Sequence, residues 1–546
     1  MFNSVTREDA AVVLDDGTRL VADLYRPRQP GRYPALLLRV PYGRRIAETV
    51  GYAHPAWYAS HGFLVAVQDV RGRFDSGGRW DPLVTEGRDG RATVDWLASL
   101  KECNGLVATY GYSYAGAIQV PVAASRPSGL VTLAPGFFST RVRDDWALPS
   151  GVLAFAFCLS WGLELAAGGA RREGDDAAVE AIRATSCDVE SEWFRLPLRA
   201  ACGKGGLRGA PWPEWAEHGP LDPYWDRYAE LDVCSPLPML CVGGWYDAFQ
   251  RGTLAAFHAA ASPHRLLMGP WWHAPWSWSA AASSRHVDDR QLEWFSHFLQ
   301  GASLAERPPV EAFVLGRETW MYESTWPPTG AREIQLFLHS NGRANSVFGD
   351  GRLDREAPAE GEPPDICIYD PLGAIAAPGG HSCCQGGRDP MGPADQAPLE
   401  GLTTTLVYTT EPLSDDLLIA GPVRLNAVVV TDCPETDFAA TLCRVLPEGR
   451  SVNLVEGLAR VEALNDRSPG AQPITIDLGD TCAFIAKGQR LRLDITGSRF
   501  PQWRRSLNWT VVSLLDAGAR DARVATNCVL HTASNPCVLT LVVCEP

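Results

Sequence analysis

Residues 106–120 read LVATYGYSYAGAIQV. A short β-rich run (106–110) meets Gly111-Tyr112-Ser113-Tyr114-Ala115-Gly116, and small and apolar residues then open a helix. Strand, sharp turn and helix in that order are what a nucleophile elbow requires: a Ser in a strained backbone conformation with its hydroxyl above the sheet. Gly111, Ala115 and Gly116 are small enough for strand and helix to close on one another. Taken alone, G-x-S-x is equally an ordinary glycine-rich turn, and strict G-x-S-x-G would put Gly where Ala115 stands. The assignment therefore depends on whether the chain supplies partners for Ser113.

At 546 residues the chain predicts two to four domains, at about 100–200 residues each. A net charge of −15 and a pI near 5.3 argue against nucleic acid or an anionic membrane as partner, since both need basic patches. The 15 Cys show no C-x-x-C, and only Cys383 and Cys384 are adjacent. That pattern predicts free, mostly buried thiols in a reducing compartment. The N-terminus lacks a basic segment followed by an apolar one, so no secretion signal is read and the cytoplasm is the expected location. Residues 151–170 are long and apolar enough to span a membrane, but they carry Glu164 and several Gly, which predicts a buried helix instead.

Along the chain, residues 12–27 alternate around Asp16-Gly17 as a hairpin. Residues 35–40 and 63–70 read as buried strands, and 85–100 as a helix with Ala92, Trp96, Leu97 and Leu100 on its apolar face. Another strand follows at 130–134. Strands alternating with helices imply parallel βαβ units. From 144 to 236 Trp, Ala, Leu and Arg dominate and a helical insertion is expected; strands resume at 239–242 and 265–268, and a helix at 289–301 closes the region. Beyond 307, short alternating segments separated by Pro, Gly and Asp turns predict an antiparallel β-sandwich.

Ser is a weak nucleophile until a base removes its proton, so a His and a carboxylate are needed at the right structural places. In an α/β-hydrolase sheet the order is Ser, then Asp or Glu, then His, the latter two on loops after later strands. Asp247 follows one predicted strand and its turn, and His273 follows the next, which puts both on the sheet edge that carries Ser113. Each has an ordinary alternative, a helix N-cap for Asp247 and a satisfied loop histidine for His273. No H-E-x-x-H spacing appears, so neither a metal nor another cofactor is expected. The oxyanion needs two donors: the backbone N–H of Tyr114, and one from the loop after residue 40, where Tyr42 offers a phenolic O–H. From spacing alone, Tyr42 reads as a core Tyr.

Longer stretches carry a resemblance: DGTRLVADLYRP, PYGR, DVRGRFDSGG, CNGLVATYGYSYAG, GGWYDAF, GPWWH, YTTEPLSDDLLIAGPVRL, ETDF and SRFPQW. The chain resembles the cocaine-esterase-like (CocE/NonD) hydrolases of the X-Pro dipeptidyl-peptidase S15 superfamily. The resemblance implies an α/β-hydrolase domain with a helical cap insertion, plus a C-terminal β-sandwich of jelly-roll type. The expected segments are 1–143 and 237–306 for the hydrolase core, 144–236 for the cap and 307–546 for the sandwich. It places the family's triad on Ser113, Asp247 and His273, and makes Tyr42 the side-chain oxyanion donor. The chain departs from the family at Ala115, where Leu is usual, and has no carboxylate cluster after Asp247 of the kind that holds a substrate ammonium in amino-acid-ester hydrolases. Asp144 and Asp145 remain as acidic wall candidates, with solvated or capping roles the ordinary reading.

Aromatics crowd the expected site: Tyr112, Tyr114, Trp146, Trp161, Trp245, Tyr246, Phe249, Trp271, Trp272, Trp276 and Trp278. Trp146, Trp161, Phe249 and Trp272 are the candidate pocket walls, suited to a hydrophobic acyl or aromatic ester. The leading expectation is an esterase working through an acyl-enzyme on a small-molecule ester. Amide or X-Pro cleavage, acyl transfer in a biosynthetic pathway, and a non-catalytic binding protein are the alternatives. Assembly as a homodimer is left open.

Overall fold

The computed structural model of the chain describes residues 4–47, 51–202, 209–229, 231, 234–260, 263–274, 282, 284–384, 391–462, 470–510 and 513–546. The Asp16-Gly17 turn folds as its sequence dictates. The Asp16 carboxylate accepts from the Thr18 N–H at 2.9 Å, and Val13 pairs with Arg19 to start the antiparallel hairpin of β1 (Val5–Val13) and β2 (Arg19–Pro27). This hairpin is one edge of a ten-stranded sheet.

The sheet continues with β3 (Tyr33–Val40), β4 (Leu64–Asp69), β5 (Cys103–Tyr112), β6 (Leu130–Gly136), β7 (Met239–Gly244), β8 (His264–Gly269), β9 (Val310–Val314) and β10 (Thr319–Glu323). Its order is β1-β2-β4-β3-β5-β6-β7-β8-β9-β10. From β4 to β9 every neighbouring pair is parallel. Every residue of β4 is buried, as expected of a strand covered on both faces. The hydrolase sheet does not end at residue 306: β9 pairs with β8 and β10 with β9, so strands in the first part of the expected sandwich segment belong to it.

Between β6 and β7 the chain leaves the sheet and forms helices Phe155–Glu173, Asp176–Cys187 and Val189–Trp193. The first is the apolar 151–170 window, and its helix is buried along most of its length. Among the described residues no helix is long and apolar enough to cross a membrane. After β10 the chain builds the β-sandwich, whose eleven strands run from Arg332–His339 to Val538–Cys544. Leu417–Thr431 lies antiparallel to Gln472–Ile485 and Val538–Cys544, and Glu435–Val445 lies between Ser451–Glu462 and Arg490–Thr496. The fold is an α/β hydrolase plus a β-sandwich.

The sandwich packs on both the cap and the sheet edge. Trp503 donates to the Pro149 carbonyl at 3.0 Å, and Tyr246 donates to the Asn453 carbonyl at 3.0 Å. One cysteine expectation is corrected: Cys383 and Cys384 are joined in a disulfide between chain neighbours, while the other described cysteines are free and mostly buried.

Candidate active site

β5 ends at Tyr112, and Ser113 takes φ 60°, ψ −127° before the helical turn Tyr114–Ala117. A side chain held at positive φ costs roughly 1–3 kcal/mol and persists only where its surroundings impose it. Here the Ser113 N–H donates to the Gly136 carbonyl at 2.9 Å, tying the elbow to β6. A Cβ on Gly116 would lie 2.6 Å from the Gly136 carbonyl oxygen, too close to exist. The obligatory small residue of this elbow is thus Gly116, and Ala115 fits without conflict.

Tyr42 follows β3 on the loop Pro41-Tyr42-Gly43-Arg44. Arg44 fixes that loop: its N–H and guanidinium both bond Asp69, each at 2.7 Å, and its Nε bonds Asp23 at 2.8 Å. Arg73 adds a second anchor, donating to the Pro41 carbonyl at 2.8 Å and to the Leu165 carbonyl of the cap helix at 3.2 Å. Burial pulls the Arg73 guanidinium down to about 10. The Tyr42 hydroxyl receives the Trp161 indole N–H at 3.0 Å and lies near the Ser113 hydroxyl. Burial, then the nearby Glu164 charge, holds Tyr42 far above the usual phenol range, so its proton stays available for donation. Tyr114 is fully buried, and its side chain points elsewhere, donating to Glu86 at 2.7 Å. Its backbone N–H stands at the first helical position, where no intrahelical acceptor exists.

Asp247 and His273 stand at the next two strand ends. Asp247 follows β7 and is fully buried, and its Oδ1 is 2.8 Å from His273 Nδ1. His273 follows β8 and is 7% exposed. Its Nε2 is buried and has no hydrogen-bond partner among the described residues. Three rings enclose the imidazole edge-on: Phe249 at 5.2 Å, Tyr112 at 6.2 Å and Phe137 at 6.5 Å between centroids. The Asp247 loop is held from outside the hydrolase sheet. Gln250 donates to the Asp480 carbonyl at 2.7 Å and accepts from the Asp480 N–H at 3.1 Å, and Ser382 bridges to Asp247.

Of the predicted pocket walls, Trp146, Trp161 and Phe249 come together. Trp146 is 4.4 Å from Phe249 and 5.5 Å from Trp161, and Phe249 reaches His273. Trp272 is half-buried and packs against the hydrophobic core. Trp276 and Trp278 lie outside the described residues. Asp144 and Asp145 are both engaged within the protein: Asp144 pairs with Arg143, and Asp145, which lines a cavity with Asp247, accepts from Ser139 at 2.5 Å and from Arg141 at 3.0 Å.

Two features escaped the sequence. Glu164 sits on the cap helix one turn from Trp161 and its charge reaches Tyr42 and Tyr112, although its only visible signal was a lone charge in an apolar run. The sandwich brings Cys383 and Cys384 to the base: their sulfurs and a His273 ring nitrogen lie within 4.8 Å of one another, with the sulfurs bonded together. A second group of metal-capable side chains, Glu400, Cys443 and Asp494, is engaged internally, Glu400 with Arg492 and Cys443 with Asp494.

The sequence matches the X-Pro dipeptidyl-peptidase (S15 family) over residues 16–275, and the X-Pro dipeptidyl-peptidase C-terminal non-catalytic domain over 303–540. It is 30% identical over 542 residues to the cocaine esterase of Rhodococcus sp. (strain MB1 Bresler), covering 93% of each chain. Among solved structures, an aminopeptidase from a marine sediment Thaumarchaeota archaeon matches with TM-score 0.80 at 20% identity, over 100% of this chain and 97% of that one. A CocE/NonD family hydrolase from Staphylococcus aureus matches with TM-score 0.70 at 15% identity, over 99% and 94%. These two likenesses are of fold, whereas the esterase shares sequence along nearly the whole length. The chain belongs to the X-Pro dipeptidyl-peptidase S15 superfamily, in its cocaine-esterase-like CocE/NonD branch, and is a serine ester hydrolase.

Proposed function

We propose that the enzyme cleaves esters of hydrophobic acyl groups, with Ser113 as nucleophile, His273 as base and Asp247 as the group that orients it. The observation that carries this is the His273 ring itself: Nδ1 is engaged by Asp247 at 2.8 Å while Nε2 is buried and unpartnered. A base needs one nitrogen fixed and the other open to the proton it takes.

Ser113 Oγ attacks the ester carbonyl carbon as its proton passes to His273 Nε2. The Tyr42 O–H and Tyr114 N–H hold the oxyanion. As the intermediate collapses, the carbon–alkoxy bond breaks and His273 protonates the departing alcohol. Water then repeats the sequence on the acyl-enzyme and frees Ser113. Trp146, Trp161 and Phe249, clustered with Phe249 edge-on to His273, give the acyl group an apolar wall; Trp272 is a further candidate. Segments 1–143 and 237–306, with β9 and β10 added, are read as the catalytic core, 144–236 as its cap and the rest of 307–546 as the sandwich. The acidic charge and free thiols support a cytoplasmic enzyme acting on small molecules rather than on nucleic acid. Hydrolysis of p-nitrophenyl butyrate and labelling by a fluorophosphonate test the assignment. Both are expected to vanish in Ser113→Ala, and survival of either at the wild-type level overturns it.

A further inference from the structure

Residues 381–384 come from the sandwich half of the chain but are built into the loop that carries Asp247. The Ser382 N–H donates to the Tyr246 carbonyl at 3.2 Å, and Ser382 pairs with Asp247 as a short parallel bridge. One residue earlier, His381 Nδ1 bonds the buried Glu456 carboxylate at 2.9 Å, and Gln502 donates to the His381 carbonyl at 2.9 Å. The backbone leading to Cys383 and Cys384 is therefore fixed to the partner of His273, not merely close to it. Both sulfurs and a His273 ring nitrogen lie within 4.8 Å of one another. Donor atoms around a tetrahedral zinc ion stand about 3.5–4 Å apart, so the three are near the spacing such an ion requires.

The donor types agree with the spacing. Thiolate and imidazole together select cations of the zinc kind over magnesium or calcium, which prefer oxygen. Asp247 engages His273 at Nδ1, which leaves the ring's lone pair at Nε2, buried and without a hydrogen-bond partner among the described residues. A carboxylate on the far nitrogen is also the usual support of a zinc-bound histidine, because it fixes the ring and raises its basicity. The second carboxylate oxygen, Asp247 Oδ2, is likewise buried without a partner among the described residues, so negative charge stands beside the three donors. Cys383 is buried and Cys384 half-buried, which leaves Cys384 open to attack from solvent.

We propose that, once the Cys383–Cys384 bond is reduced, the two thiolates and His273 Nε2 form an inhibitory site for a thiophilic divalent cation of the zinc and cadmium kind. Opening the bond takes a thiol reductant: one external thiolate captures a sulfur, a second releases it as an external disulfide, and both cysteines are left as thiols. The cation then displaces their two protons to solvent and accepts both thiolates and the imidazole lone pair. It is an inhibitor rather than a cofactor, since a metal on Nε2 occupies the position that takes the Ser113 proton. The effect on rate, though not the binding, rests on His273 being the base.

The test reads binding and rate separately on the full chain, reduced with a phosphine and desalted under argon. Cadmium is titrated first and followed by the ultraviolet charge-transfer band of thiolate-bound metal. Wild type is expected to bind one equivalent more than Cys383→Ser/Cys384→Ser, and Ser113→Ala to bind as wild type does. Zinc is then titrated against p-nitrophenyl butyrate hydrolysis, each enzyme being compared with its own metal-free rate. Reduced wild type is expected to be inhibited at a zinc concentration about 100-fold lower than the double variant needs. Wild type kept oxidised with diamide should match the double variant, which checks the result without any substitution. Equal cadmium binding by wild type and the double variant overturns the site. So does equal zinc sensitivity of the reduced and oxidised wild type. If cadmium binds as expected but hydrolysis does not depend on Ser113, the metal site stands and the nucleophile assignment fails instead.

Discussion

Ser113 and Asp247 serve one site but are held there in opposite ways. The elbow is a local construction: Ser113 bonds across to Gly136, its turn fits against β6 through Gly116, and the facing Tyr42 loop is locked by Arg44 and Asp69 of the same sheet. The acid loop borrows its order from far along the chain. Tyr246 bonds Asn453, 207 residues away, and Gln250 bonds Asp480, 230 residues away. The Ser113 elbow can thus be formed by the hydrolase sheet alone, whereas the Asp247–His273 pair draws on the docked sandwich for its geometry. The domain named non-catalytic in the family has a structural stake in that pair.

The contrast can be broken from either side. Ser113→Ala is the largest expected effect, a loss of roughly 10⁴- to 10⁶-fold in kcat without change in urea stability. Next, Arg44→Met removes one partner of a buried charge cluster and leaves Asp23 and Asp69 uncompensated. About 3–5 kcal/mol of unfolding free energy should go with it, read in urea, together with Tyr42-dependent activity. Tyr42→Phe keeps the ring and deletes the donor, so kcat should fall about 10²- to 10³-fold with KM little changed. Gln250→Ala cuts the acid loop from the sandwich. A loss of about 1–3 kcal/mol is expected with a fall in kcat, and an unchanged kcat would show that the sandwich does not steer the base.

The smallest effect concerns pH. Burial pushes the Asp480 carboxyl up to about 6, with Trp326 donating to it and Asp477 and Arg251 facing it. Between its unfolded pKa of about 4 and about 6 the folded chain holds a proton that the unfolded chain has released, so stability falls as pH rises through that window. Asp480→Asn keeps the acceptor for Trp326 and removes the charge. It should raise Tm above pH 6 by the equivalent of about 1–2 kcal/mol, allowing for solvent screening, and give no gain near pH 4.

Much of the hydrolase half was legible because its signals are local. The Asp16-Gly17 hairpin, the buried runs of β3 and β4 and the strand-end positions of Asp247 and His273 each depend on residues a few places apart. The helix after residue 85 shows where that logic is incomplete. Its apolar pattern pointed to Ala92, Trp96, Leu97 and Leu100, which do pack on the hydrophobic core, yet the structure also buries Glu86, Asp89, Thr93 and Val94. Glu86 faces Arg39 and Asp89 faces Arg71, so paired charges take core positions that a hydrophobic count assigns to solvent. Tyr42 was ambiguous for a related reason, since a core role and a site role share one sequence signal and only tertiary placement brings the side chain near Ser113. Glu164 and the Cys383–Cys384 pair reach the site only through tertiary placement on the cap and the sandwich, which no spacing encodes.

Arg73 grips the oxyanion loop at Pro41 with one nitrogen and the cap helix at Leu165 with another. The cap helix and the Tyr42 loop are therefore one mechanical unit. A substrate too bulky for the site cannot lift the cap without also dragging on the backbone that aims Tyr42. Excess size should then be punished in the speed of the chemical step more than in the strength of binding. The enzyme would discriminate by turning over poorly what it still admits, a ruler that measures its substrates at the transition state.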